Sequence, residues 1–263
     1  MEVIIEMKYI SCFIFFLFLL CIPAQAATNE ASFTSDTINY DIKTGSFLAE
    51  GNVTIKGRGL TIIATHASGD TKSKAFNLSG NVTLNGLWNS DDIKLSAMSA
   101  TAEMSERPQY TLESGISGSL GKIAVDCDYI QMISNDIFAK GVRKFQDQKA
   151  GVTFSASTVK GKIDKGELAQ ADAEGNIIIR GTPDKKGGIV ELRGKKAIYS
   201  RDRGTLVVSG GVTATQGKRT FRADSLVYIP ATNRIEALGS ETNRPHITIE
   251  LDDEKNPPLP QNN

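Results

Sequence analysis

The sequence predicts an all-β fold, a repeat-built stack of about fourteen to sixteen short antiparallel strands, on three observations. The first is a motif, Gly51-Asn52-Val53-Thr54-Ile55, that returns as Gly80-Asn81-Val82-Thr83-Leu84, Gly175-Asn176-Ile177-Ile178-Ile179 and Gly210-Gly211-Val212-Thr213-Ala214, with weaker copies at Gly141-Val142 and Gly239. Self-similarity at a period of roughly 30 residues marks stacked supersecondary units, here about seven or eight. The second is the spacing upstream. Tyr40, Phe47 and Gly51 stand at the same offsets as Tyr199, Leu206 and Gly210, and as Tyr228, Ile235 and Gly239, while Phe33, Asp36 and Tyr40 align with Phe221, Asp224 and Tyr228. The third is a period of two: Phe47, Ala49, Val53 and Ile55 share one parity, as do Phe76, Leu78, Val82 and Leu84, which is the signature of strands with one buried face.

From the N-terminus, an apolar run from Ile10 to Ile22 precedes Pro23 and Ala24-Gln25-Ala26, a small-x-small processing site. It predicts a cleaved signal peptide over 1–26, with translation starting at Met7, because a membrane span needs roughly 20 apolar residues. The first strand is expected over Phe33 to Ile42 and the last over His246 to Leu251, with one domain over 27–251 and a charged, proline-rich, disordered tail over 252–263. Turn chemistry punctuates the interval at Asp41 to Gly45, Lys56 to Gly59, Asp70 to Lys74, Asp184 to Gly188, Ser200 to Gly204 and Pro230 to Asn233. Ala97 to Glu106 and Glu167 to Glu174 hold helix-favouring residues, leaving a short helix open there. Around Pro108 to Gly118 the repeat slips, and no glycine can be assigned to the motif.

The recurring glycines Gly51, Gly80, Gly175 and Gly210 carry the inward parity of their apolar neighbours. Glycine inside a strand marks a bulge, a bend or a close backbone approach. Repeated in register, it predicts that every strand bends at one level and that the sheet folds over into a trough or flattened barrel. Small residues before the bend, at Ala49, Ala139, Ala173 and Ala237, leave the centre underfilled and favour a groove.

The balance of 30 basic and 30 acidic residues argues against a nucleic-acid partner. Cys12 and Cys21 leave with the signal, so Cys127 has no disulfide partner and reads as a small buried apolar residue. His66 and His246, in different repeats and both read as strand-end residues, give no metal-ligand spacing, and no Ser, His and Asp arrangement appears. Asp126 and Asp128, flanking Cys127, read as a solvated outer face. Gly57-Arg58-Gly59 and Gly187-Gly188 read as turns. Basic residues at Lys140, Arg143 and Lys144 and at Arg193, Lys195 and Lys196 are either a solvated face or a surface for anionic headgroups.

The motif of a tyrosine, an aromatic or aliphatic residue and Ala-x-Gly-Asn-Val, seen in Tyr40, Phe47, Ala49, Gly51, Asn52 and Val53, resembles that of the OstA/LptA-like family of periplasmic lipopolysaccharide-transport proteins. The resemblance spans nearly all of Phe33 to Leu251. It implies an open, twisted β-jellyroll and a non-enzymatic carrier, without cofactors, that shields lipid A acyl chains in a hydrophobic groove. The groove residues expected are Phe47, Ala49, Val53, Ile55, Leu60, Ile62, Phe76, Leu78, Val82, Leu84, Ile177, Ile179, Leu206, Val208 and Val212. It further implies head-to-tail assembly through Ile38, Tyr40, Ile247, Ile249 and Leu251, in the periplasm of a Gram-negative bacterium. The partners implied are an inner-membrane LptC-like subunit of an ABC transporter and an outer-membrane LptD-like barrel. Two alternatives stay open: a membrane-anchored LptC-like subunit of the same transporter, and a closed β-solenoid structural or surface protein with a dry core.

Overall fold

The computed structural model describes residues 31–147, 151–181, 190–232, 234–239 and 244–249. The expected signal segment 1–26, the turn from Asp184 to Gly188, Leu251 and the tail 252–263 lie outside them. The strands are β1 (Ser32–Thr34), β2 (Thr37–Tyr40), β3 (Ser46–Gly57), β4 (Leu60–Asp70), β5 (Ala75–Trp88), β6 (Asp91–Glu103), β7 (Gln109–Leu120) and β8 (Ile123–Ile133). They continue as β9 (Asp136–Asp147), β10 (Val152–Asp164), β11 (Glu167–Gly181), β12 (Val190–Ser200), β13 (Thr205–Gln216), β14 (Arg219–Ile229), β15 (Arg234–Leu238) and β16 (His246–Ile249). All lie in one 16-stranded sheet in which β3 to β15 pair in chain order. This is the all-β, open β-jellyroll architecture.

The strands from β3 to β14 are not short: they run from 11 to 15 residues, because each continues through a bend at its middle. The bend is a bulge. In β3 the ladder to β4 pairs Glu50 with His66 and then Val53 with Ala64, so Gly51 and Asn52 together face Thr65. Both have left-handed backbones, with φ of 74° and 48°. Gly80-Asn81 and Gly175-Asn176 do the same at 79° and 51° and at 75° and 49°, and Gly210-Gly211 at 90° and 75°. A bulge with two left-handed residues turns the strand sharply without losing the ladder on either side. Asparagine is the one common non-glycine residue that takes this conformation readily, which accounts for the Gly-Asn pair.

The bends stack in register and fold the sheet into two layers. Layer one holds the halves near the Phe47, Phe76 and Leu206 ends, and layer two the halves near Ile55, Leu84 and Ala214. At each end the last strand is split between layers: β1 and β2 pair separate halves of β3, and β16 and β15 separate halves of β14. The expected first strand, Phe33 to Ile42, is therefore broken at Ser35-Asp36. There Asp36 donates its N–H to Gly51 at 2.9 Å and accepts the Asn52 amide at 3.0 Å.

Four expectations change. The bend glycines do not face inward. A Cβ on Gly51, Gly80, Gly175 or Gly210 would strike the outward side chains of Asp36, Thr65, Ser157 or Lys195, because the two bulge residues count as one step of the alternation. His66 does not end a strand but sits mid-β4, beside the bend. Ala97 to Glu103 and Glu167 to Glu174 are strand, since burial of alternate residues on a paired ladder overrides helix propensity. The slipped segment is also regular: Ser114 and Gly115, with φ of 65° and 64°, make the β7 bend between Leu112 and Ile116. Two-residue hairpins with both residues at positive φ, Arg58-Gly59, Asn89-Ser90 and Lys165-Gly166, link neighbouring strands.

These geometries separate two glycines that look alike. A Cβ at Gly80 would lie 2.6 Å from Thr65 Oγ1, whereas at Gly115 nothing lies within 4 Å. Gly115→Ala is expected to cost about 1 kcal/mol, the left-handed penalty alone, and Gly80→Ala about 3 kcal/mol, strain and collision together. Urea denaturation of both variants checks this. Equal losses would mean that the corner has room for a methyl group.

Candidate functional site

Between the layers lies one continuous apolar column. Every residue expected to line the groove is in it and buried: Phe47, Ala49, Val53 and Ile55 from β3, Leu60 and Ile62 from β4, Phe76, Leu78, Val82 and Leu84 from β5, Ile177 and Ile179 from β11, and Leu206, Val208 and Val212 from β13. The sequence pattern did not deliver the middle of the column, where Leu95, Leu112, Ile116, Ile123, Ile130, Met132 and Phe145 are equally buried. The signal was present as Tyr110-x-Leu112-x-Ser114-Gly115-Ile116, which repeats the spacing of Phe47-x-Ala49-x-Gly51-Asn52-Val53 with Ser-Gly in place of Gly-Asn.

The small residues do not hold a wide trough open. Ala49, Ala139 and Ala173 are buried, and the layers close upon them. Opposite the line of bends the two free margins meet along a seam. Asn89 of the β5–β6 turn donates to Ser134 O and, at 3.0 Å, to Asn135 Oδ1 of the β8–β9 turn. Lys122 of the β7–β8 turn donates its backbone N–H to Gly166 O at 2.8 Å and its ammonium to Glu167 at 2.9 Å. At β14, the Tyr228 hydroxyl lies against Gly181. Two turns of layer two, β5–β6 and β7–β8, thus meet turns of layer one, β8–β9 and β10–β11, with the same stagger.

Between Asp147 and Tyr199 lies a small apolar pocket of about 30 Å³, lined by Val152, Phe154, Leu168, Ala171, Ala173, Ile179, Ala197 and Leu206. Phe145 and Phe154 stack beside it at 4.9 Å.

Among the described residues, the edge strands at the two ends of the column leave apolar side chains exposed. Ile38 and Tyr40 pair with the inward Ala49 and Phe47 yet remain 51% and 47% exposed, and Ile247, opposite Phe221, is 57% exposed. Ile249 pairs with Arg219. Just inside the first end, Phe33 of layer two meets Phe47 and Phe76 of layer one at 5.3 and 5.0 Å.

The outer face is charged and largely self-paired. Arg143 bonds Asp126 at 2.7 Å, Asp128, and the Cys127 carbonyl at 3.1 Å, and these carboxylates raise its pKa further. Lys140 sits 4.8 Å from the Tyr129 ring. Arg193 bonds Glu191 at 2.6 Å, and Lys196 bonds Glu174 at 3.2 Å, the main cause of its raised pKa. Two of the basic clusters singled out in the sequence are therefore mostly committed to neighbouring acids and rings. Among the described residues, no group of His, Cys, Asp and Glu is placed to hold a metal.

A sheet folded over on itself around an apolar column, with a charged exterior, defines a class of molecule: an open β-jellyroll. Over residues 61–234 the chain matches the family described as LptA/(LptD N-terminal domain) LPS transport protein, and it belongs to that family. Among solved structures it is similar to LptH, the LptA homologous periplasmic component of the conserved lipopolysaccharide transport device from Pseudomonas aeruginosa. The match has 12% identity, covers 86% of this chain and 98% of that one, and has a TM-score of 0.27. No curated protein matches the sequence.

Burial also governs the titration of the column. It pushes the Cys127 thiol up from 9.0 to about 12 and raises the Tyr110, Tyr199 and Tyr228 hydroxyls. Groups whose folded pKa is raised stabilise the fold fully below their unfolded pKa, and that stability is lost as pH climbs towards the folded value. The urea midpoint is therefore expected to hold from neutrality to about pH 9 and to fall above it. Cys127 should react with an aromatic disulfide reagent only after unfolding; rapid reaction of the folded protein would contradict its burial.

Proposed function

We propose that the protein is a non-enzymatic carrier that shields the acyl chains of lipopolysaccharide, through its lipid A portion, between the two layers during export. The observation that carries this reading is the unbroken apolar column, with exposed apolar residues on both edges of the described sheet, in a chain of the lipopolysaccharide transport family. Hiding an acyl chain is worth ~0.8 kcal/mol per CH₂, so one chain contributes roughly 10 kcal/mol. A carrier must hide the chain without trapping it, and a column of similar lining at each repeat offers equivalent positions along which the chain can advance.

The same reading gives the ends a purpose. Exposed edge strands with uncovered inward residues invite pairing. β16 and β15 run opposite to β1 and β2 of a following copy, so both layers can continue antiparallel across a head-to-tail contact whose edge strands carry Ile38 and Tyr40 at one end and Ile247 and Ile249 at the other. That contact is heterologous and propagates. In the periplasm such a stack bridges an inner-membrane LptC-like subunit of an ABC transporter and an outer-membrane LptD-like barrel.

Val82→Arg and Val212→Arg are expected to weaken lipopolysaccharide binding by at least about tenfold, equal to ~1.4 kcal/mol, while circular dichroism retains its strand signature. A photoreactive residue at position 82 should give a lipopolysaccharide adduct in cells. Its absence, with the protein folded and secreted, would refute the carrier. Ile247→Lys should remove concentration-dependent oligomers in light scattering; unchanged scattering would refute the edge contact.

A further inference from the structure

Trp88 is the chain's single tryptophan and the last residue of β5. It keeps the inward parity of Val82 and Leu84, belongs to the apolar column and is 4% exposed, while Leu87 beside it is 49% exposed. Among the described residues, Trp88 Nε1 is the one buried side-chain nitrogen or oxygen without a hydrogen-bond partner. The polar groups around it at the seam are paired. Asn89, the next residue, donates to Ser134 O and Asn135 Oδ1, and Glu167 takes the Lys122 ammonium. A buried indole N–H ordinarily finds an acceptor, and leaving it unpaired destabilises the fold. The donor is therefore kept at the margin of the column against its own cost in stability, where an acceptor from outside the chain can meet it.

The chemistry of the group selects that acceptor. An indole N–H donates and does not accept, so its partner carries a lone pair. Methylene chains carry none. In an acylated amphiphile the first acceptor met on leaving the hydrocarbon is the ester or amide carbonyl that joins chain to headgroup. That junction belongs at the boundary between column and exterior, and Trp88 stands at this boundary: Leu84 lies further along the inward row of β5, and Asn89 crosses the seam directly after it. We propose that Trp88 Nε1 recognises the carbonyl of an ester- or amide-linked acyl chain and so fixes how far the chain enters the column. The proposal rests on the carrier reading above and adds a polar criterion to it. The apolar lining accepts hydrocarbon of any origin, whereas Trp88 favours chains that begin with a carbonyl. A chain without one leaves the N–H as it is in the free protein and gains nothing from it.

The test compares two probes on the mature chain by calorimetry: a diacylated glucosamine phosphate, and its dialkyl ether counterpart of equal chain length. The wild-type protein should bind the acyl probe about fivefold more tightly than the ether, the effect of one neutral hydrogen bond. Trp88→Phe should bind both alike, at the wild-type affinity for the ether. Replacing Trp88 with its benzothiophene analogue, which keeps the ring shape and has sulfur in place of the N–H, should do the same without the volume that phenylalanine gives up. Because Trp88 is the only tryptophan, its emission should lie further to the red with the acyl probe than with the ether. Equal wild-type affinities for the two probes would overturn the proposal, as would a preference for the acyl probe that survives in the benzothiophene variant. Both results, with the probes bound, leave the carrier reading intact. A wild-type protein that binds neither probe nor lipopolysaccharide would remove the carrier reading and the role of Trp88 with it.

Discussion

The fold depends on one backbone event, the placement of left-handed residues at the middle of alternate strands. Flat strands of 11 to 15 residues would build a single broad sheet with one face apolar and nothing to cover it. The bulge at Gly51-Asn52, copied at Gly80-Asn81, Ser114-Gly115, Gly175-Asn176 and Gly210-Gly211, lets the sheet serve as its own cover. The neighbouring strands adapt without bulging by turning two consecutive residues outward, as at Thr65-His66 and Met98-Ser99. Burial on both halves then resumes, with Ala64 and Ala67 on either side of the corner in β4.

That arrangement divides the labour between layers and margins. The column is held by apolar burial alone, and among the described residues its buried polar or charged members, Thr111, Asp147 and Glu167, are few. Specific polar geometry is concentrated where the sheet meets itself, at the Asp36 corner and along the seam. No strand pairs across the seam in the described residues. The column and the seam are thus separate mechanical elements, one continuous and one made of discrete contacts.

Much of this was legible in the sequence because strand alternation and glycine spacing are local properties. The repeat, the inward set around β3, β5, β11 and β13, and the correspondence of Asp36 with Asp224 at the two split ends all follow from the pattern. The orientation of the bend glycines was not, since parity counting treats each residue as one step and a two-residue bulge breaks that count. The β7 level escaped for a chemical reason: serine and glycine exchange roles there, so a search for Gly-Asn passes over it. The seam was illegible altogether. Lys122 and Glu167 stand 45 residues apart and carry no periodic signal, and only the folding-over brings them within 2.9 Å.

The stagger of the seam has a geometric consequence of its own. Because the turn before β6 meets the one before β9 and the turn before β8 meets the one before β11, the two margins are offset in the same sense, as threads are on a screw. An offset of constant sense gives the folded-over sheet a handedness. Copies joined end to end in continuous layers would carry the thread onward, so their flanks would present the same seam at successive rotations about a common axis. The orientation of one molecule in such a column would fix the direction in which every other one faces.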